Sequence, residues 1–226
     1  MTGGTVSVDA AVVEDEVAES RGAPTQVGEG RARSLSGEKA QRIIDAMRRS
    51  VAQRGTTAST FDHVSREAGV SRGLLHYYFG TKEQLLAEAV RRECELRLEQ
   101  LEGQLQAAKT ADDFIALMAK NLQETVREDP DFVTLVFELF TLSRRNPDIG
   151  VEYARLMCNT REHVAGMLAA AQREDVLRLH AEPEAIAEIL FSLGDGLALR
   201  LLTEPERDFS HTIEAGIACV RVLLTE

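Results

Sequence analysis

The 226-residue chain contains no tryptophan, and its three tyrosines and eight phenylalanines bring aromatics to only 5%. Alanine, leucine, glutamate and arginine dominate instead, a mix that favours helices over sheets. No run approaches the roughly 18 apolar residues of a membrane span, which excludes one. The opening residues MTGGTVSVDAAVVEDEVAE lack the basic start and apolar stretch of an export signal. A cytoplasmic location is therefore expected. Only Cys94, Cys158 and Cys219 carry thiols, odd in number and far apart. That excludes a disulfide framework and a thiolate metal site, and fits a reducing compartment.

Signs of catalysis are also missing. His63, His163, His180 and His211 have no Ser, Cys or Asp partner at a diagnostic spacing. No Gly-rich loop is built to cradle a phosphate. Cys158 and His163 are five residues apart, which turns them about 140° from one another around a helix. No enzyme, metal or cofactor is expected.

The net charge of −11 argues against a nucleic-acid partner until its distribution is considered. Residues 1–36 hold three basic and six acidic groups, net −3. Residues 37–82 hold eight basic groups (Lys39, Arg42, Arg48, Arg49, Arg54, Arg66, Arg72 and Lys82) against four acids, net +4. The remaining 144 residues carry net −12. A compact basic segment joined to an acidic body is the charge footprint of a small DNA-binding module.

Patterning divides the chain the same way. Residues 1–36 have no sustained apolar period and read as a disordered tail. From Glu38 onward the period is helical and no segment alternates as a strand. A first helix is expected over Glu38–Arg54, with Gly55 as its stop. A second starts at Ser59, with Asp62 completing a capping box, and closes at Gly69. Ser71 caps a third, Arg72–Phe79, and Thr81 with Gln84 opens a long fourth whose apolar stripe includes Leu85, Leu86, Val90 and Leu96. Later starts fall at Thr110, Asp129-Pro130, Asn146-Pro147 and Glu182-Pro183, with a last helix from Ser210 to Leu224. The expected fold is all-α: a three-helix module over 37–82 and a six-helix body over 83–226.

The strongest motif is STFDHVSREAGVSRGLLHYYF, residues 59–79. It reads helix, tight turn, helix, with Val64 and Ala68 facing Leu75 and Phe79. That is the spacing of a helix-turn-helix, whose second helix enters the major groove. Gly73 and Tyr77 then lie at the centre of the outward face, flanked by Leu74 and His76, with Ser71 and Arg72 at its N-terminal end. His76 has two readings, groove contact or packing against the first helix. Arg48, Arg49 and Arg54 read as a solvated face.

The stretch from Ile43 to Leu86, above all GVSRGLLHYYFGTKEQLL, resembles the DNA-binding domain of the TetR family of bacterial transcriptional regulators. His76 stands where that family more often has Tyr, and Leu74 holds a variable position. The resemblance implies base-edge or backbone contacts from Arg72, Gly73, Leu74 and His76, and phosphate contacts from Thr60, Tyr77 and Lys82. The segments DPDFVTLVFELF, RRNPDI and ILFSLGDGLALRLL are similar to the betaine-regulator type of C-terminal domain. That likeness implies a small-molecule effector enclosed by the middle helices. The candidate lining is Phe114, Met118, Phe137, Tyr153, Met157 and His163, suited to an apolar or amphipathic molecule. A four-helix contact between two subunits is implied as well. Its candidate residues are Leu190, Gly194, Leu197, Leu201, Ile217 and Val220. Gly194 and Gly196 each cost about 1 kcal/mol relative to Ala inside a helix, which a close helix crossing explains.

Together these readings predict a homodimeric repressor on a pseudo-palindromic DNA operator, released by a small molecule. The alternative from another class is a helical ligand-binding or scaffold protein without specific DNA binding.

Overall fold

A computed structural model describes residues 37–225, so the expected tail over 1–36 lies outside the described residues. Nine helices run through them: α1 (Gly37–Ala58), α2 (Phe61–Ala68), α3 (Arg72–Phe79), α4 (Lys82–Leu105), α5 (Ala111–Glu128), α6 (Pro130–Ser143), α7 (Pro147–Arg173), α8 (Pro183–Thr203) and α9 (Ser210–Leu224). Local chemistry sets most of their starts. The Thr81 hydroxyl accepts from the Gln84 amide at 3.1 Å, and the Gln84 side chain accepts from the Thr81 amide at 3.2 Å. Thr110 and Asp113 form the same reciprocal pair at 3.1 Å each way. Asp129 and Asn146 cap α6 and α7, each followed by a proline whose missing N–H costs nothing at that position.

The regular first helix breaks at Gly55, as expected, where the backbone steps into φ +72°, and a further turn carries α1 to Ala58. One boundary departs from expectation. The cap of α2 is Thr60, not Ser59, with its hydroxyl 3.4 Å from the His63 amide. Ser59 is drawn inward instead: its hydroxyl donates to the Gly55 carbonyl at 2.8 Å and accepts from Ser50 Oγ at 3.1 Å. A buried pair with Ser50 outweighs an exposed cap, because an unpaired hydroxyl in the core costs about 1–3 kcal/mol.

Two apolar cores result. One joins α1, α2 and α3 to the first half of α4, to α6 and to the start of α7, around Ile43, Met47, Leu75, Leu86, Leu135 and Leu139. The other joins the end of α4 to α5, the second half of α7, α8 and α9. Each fully buried aliphatic side chain in them is worth about 1.5–3 kcal/mol. α4 and α7 pass through both cores and hold them in register. The end of α9 is fastened by main-chain bonds from Arg178 and His180 to the carbonyls of Leu224 and Leu223, at 3.0 and 3.1 Å. One residue of the α4 stripe is misplaced by the sequence reading: Leu96 is 43% exposed.

Candidate nucleic-acid interface and ligand cavity

The turn between α2 and α3 is made by Gly69 at φ +66°, whose amide closes on the Ser65 carbonyl. A side chain there would strain the backbone, so glycine fixes the crossing of the two helices. Leu75 and Phe79 are buried beneath α3, which leaves Arg72, Gly73, His76 and Tyr77 outward and Leu74 half-buried. Tyr77 is 62% exposed, and its ring meets Tyr78 edge-on at 4.9 Å. No Cβ at Gly73 would meet anything within 4 Å, so that spot on the helix is open for close approach.

The His76 ring packs edge-on against Phe61 of α2 at 4.7 Å, and the residue stays exposed. Nε2 accepts from Arg72 Nε at 3.3 Å, which assigns the ring proton to Nδ1, 3.3 Å from the Gly80 carbonyl. Arg72 also reaches Asp62 at 3.2 Å, an exposed pair. The hydroxyls of Thr60 and Ser71 accept from the His63 and Leu74 amides. Each keeps its O–H for donation. The Lys82 ammonium donates to the carbonyls of Thr56 and Thr57 at 2.9 and 3.3 Å, leaving one of its three N–H groups.

The body holds a half-open cavity of about 790 Å³ among α4 to α9. Its wall is largely apolar, with Leu98, Val133, Val136, Phe191 and Ile213 from four different helices. Three of the six residues expected there, Met118, Phe137 and Met157, line it. The other three do not. Phe114 is buried in the second core, Tyr153 stacks on Phe140 at 5.9 Å, and His163 Nε2 lies 3.1 Å from Glu102 on the far side of α7. Burial pushes the thiol of Cys94, also in the wall, up to about 12. Asp195 in the wall has its carboxyl raised above the ordinary range by the loss of water around it, partly offset by Arg161.

The module and the body are joined by charges that the sequence reading left on a solvated face. Arg48 of α1 is ion-paired with Asp129, the cap of α6, and lies 3.5 Å from Glu93 of α4. Arg97, one turn beyond Glu93, pairs with the same Asp129 and lies 3.7 Å from Glu93. Its guanidinium covers the Phe132 ring at 4.1 Å. Further along α6, the Glu138 carboxylate accepts from the Thr56 hydroxyl at 2.8 Å. The i,i+4 spacing of Glu93 and Arg97 was visible in the sequence; their distant partners were not.

Residues 43–89 match the model of bacterial regulatory proteins of the tetR family, and residues 116–221 match that of the BetI-type transcriptional repressor C-terminal domain. The chain belongs to the TetR family. It is 27% identical over 179 residues to the HTH-type transcriptional regulator BetI of Rhizobium meliloti (strain 1021), covering 78% of this chain and 82% of the relative. A Saccharomonospora viridis protein in complex with choline superposes with a TM-score of 0.67 at 23% identity, over 84% of this chain and 100% of that one. FadR from Bacillus subtilis in complex with stearoyl-CoA gives 0.66 at 17% identity, over 80% and 98%. At these identities the two structures speak for the fold alone.

In this TetR-family regulator the helix-turn-helix is α2 and α3, and the eight positions read as DNA-facing cluster on and around α3. The six positions read as the subunit contact fall differently. Leu190, Gly194, Leu197, Ile217 and Val220 line the cavity within one chain, and Leu201 packs on the first core. A Cβ at Gly194 would lie 3.9 Å from Leu122 of α5. On α8 and α9 the large apolar side chains most open to solvent are Ile189, Leu193, Leu199 and Val222, of which Leu193 also lines the cavity. The α8 stripe is wide because most of it lines the cavity while Ile189 and Leu199 face outward.

Proposed function

We propose that this regulator is a repressor that binds a pseudo-palindromic operator as a homodimer and is released by a small molecule held in the cavity. The observation that carries the reading is the joining of a basic helix-turn-helix, with its outward face uncovered, to a large apolar cavity in the same chain. Arg72, Gly73, Leu74 and His76 meet base edges or backbone in the groove, Thr60, Tyr77 and Lys82 contact backbone phosphates, and Ser71 lies at the DNA-facing end of α3. One short recognition helix reads too few base pairs for specificity, so two copies must be held at fixed spacing. The outward edge of α8, through Ile189 and Leu199, together with Val222 of α9, supplies the contact between them. The chain acts as a DNA-binding switch in the cytoplasm and not as an enzyme. The BetI relative is named a transcriptional regulator, and the two ligands in the solved neighbours, choline and stearoyl-CoA, show how widely cavities of this fold differ in what they hold. The test is a gel shift on DNA upstream of the protein's own coding sequence. Arg72→Ala and Tyr77→Ala should each weaken binding by about 1–3 kcal/mol with the dimer intact. Unchanged binding by both variants at the same salt would refute the assignment of α3 as the recognition helix.

A further inference from the structure

Arg97 belongs to two structures at once. It lines the cavity beside Phe132, and through one guanidinium nitrogen, Nη2, it pairs with Asp129 and approaches Glu93. Those two acids are the same ones that hold Arg48 of the DNA-binding module. Its Nε is buried and has no acceptor among the described residues. A buried donor left unpaired is costly, so this arrangement is one that an added acceptor improves. The charged side chains in the cavity wall are Arg97, Arg200, Arg207 and Asp195; Arg200 and Arg207 share Glu204, which leaves Arg97 as the wall cation with a buried unpaired N–H. The rest of the wall is mostly hydrocarbon.

We infer that Arg97 is the residue through which an occupant of the cavity reaches the DNA-binding module, and that the occupant is an apolar molecule with an anionic head such as a carboxylate. This rests on the reading of the cavity as the effector site. The head draws the Arg97 guanidinium from Asp129, and the turned guanidinium offers the head its unpaired N–H. Asp129 and Glu93 then lose the cation that holds their two like charges together, and the arrangement through which Arg48 ties α1 to the cap of α6 loosens. Because a carboxylate competes with Asp129 for the same cation, a cationic head on the same tail does not produce the effect.

Hydrogen–deuterium exchange of the full chain, read on peptides from α1, tests this with dodecanoate and dodecyltrimethylammonium at equal submicellar concentration. Dodecanoate should speed α1 exchange about threefold or more in the parent, and the ammonium should not. In Arg97→Met dodecanoate should leave α1 unmoved. Asp129→Asn keeps a capping side chain on α6 but removes its charge, and should speed α1 exchange with no probe present. Equal effects of the two probes, an unmoved parent, or an equal effect of dodecanoate in Arg97→Met overturns the proposal. Should Arg97→Met fail to fold by circular dichroism, the two probes on the parent and the Asp129→Asn variant still decide it. A gel shift on the parent is run alongside. A parent that binds none of its upstream DNA refutes the regulator reading, while the exchange data judge Arg97 on their own.

Discussion

The ammonium of Lys82, the first residue of α4, lies 2.9 Å from the carbonyl oxygen of Thr56 near the end of α1. A residue read from the sequence as a phosphate contact therefore also closes the last turn of another helix, where cations are favoured by the helix dipole. Lys82→Met should lower stability by about 1–3 kcal/mol, because two carbonyls lose a charged donor. If the third N–H meets phosphate, the salt dependence of DNA binding should also flatten by about one counterion. Chemical denaturation and a salt titration of binding read the two effects separately, and an unchanged salt slope would confine Lys82 to its structural role.

The Ser50–Ser59 pair gives a second expectation. Ser59→Ala should cost about 1–3 kcal/mol, since it strands the buried Ser50 hydroxyl, while the Gly55 carbonyl keeps the Ser59 amide. Thr60→Ala removes only an exposed cap and should cost about 1 kcal/mol. A double-mutant cycle of Ser50→Ala with Ser59→Ala should show coupling, and strict additivity would mean the hydroxyls do not depend on each other.

The carboxyl of Asp195 is raised because the apolar wall strips water from its charged form. A folded-state value above the unfolded one means that ionisation opposes folding at neutral pH, and that this penalty disappears once pH falls below about 3.9, where both states are protonated. Asp195→Asn should therefore raise the melting temperature at neutral pH and lose that advantage in acid. An advantage of the same size at both pH values would show that something other than charge is responsible.

The outward edge of α8 and the exposed stripe of α9 are tested by Leu199→Glu combined with Val222→Glu. A charge buried there without a partner should weaken the dimer by about 3 kcal/mol, roughly 100-fold in dissociation constant. Gly194→Ala, on the cavity side with ordinary contact to Leu122, should leave the dimer intact and modestly stabilise α8. Sedimentation of the two variants distinguishes the faces: a monomer from Gly194→Ala and a dimer from the double variant would reverse the assignment.

What could be read from the sequence followed the range of the interactions. Thr81 with Gln84, Thr110 with Asp113, and the Asp129-Pro130 and Asn146-Pro147 starts are settled within four residues, so pattern alone placed them. The helix-turn-helix was legible for the same reason, its core and its outward face both lying within residues 59–79. Ser59 was misread because its partner, Ser50, sits on the preceding helix. Arg48 was misread because Asp129 is 81 positions away. Periodicity showed that the α8 stripe is apolar, but it carries no information about whether the same chain or a second one covers each edge. For the cavity, chain order brought together Met118, Phe137 and Met157, while Phe114 rotates into the core one turn before Met118.

α6 grips α1 at two points, Asp129 on Arg48 and Glu138 on Thr56. Nine residues of helix separate the two grips, about 14 Å. The two grips are not equivalent: only the one at Asp129 is shared with a cavity residue, Arg97, while the one at Glu138 is not. Loss of the first would leave α1 held near its C-terminal end, so its N-terminal half is the part free to shift against α6.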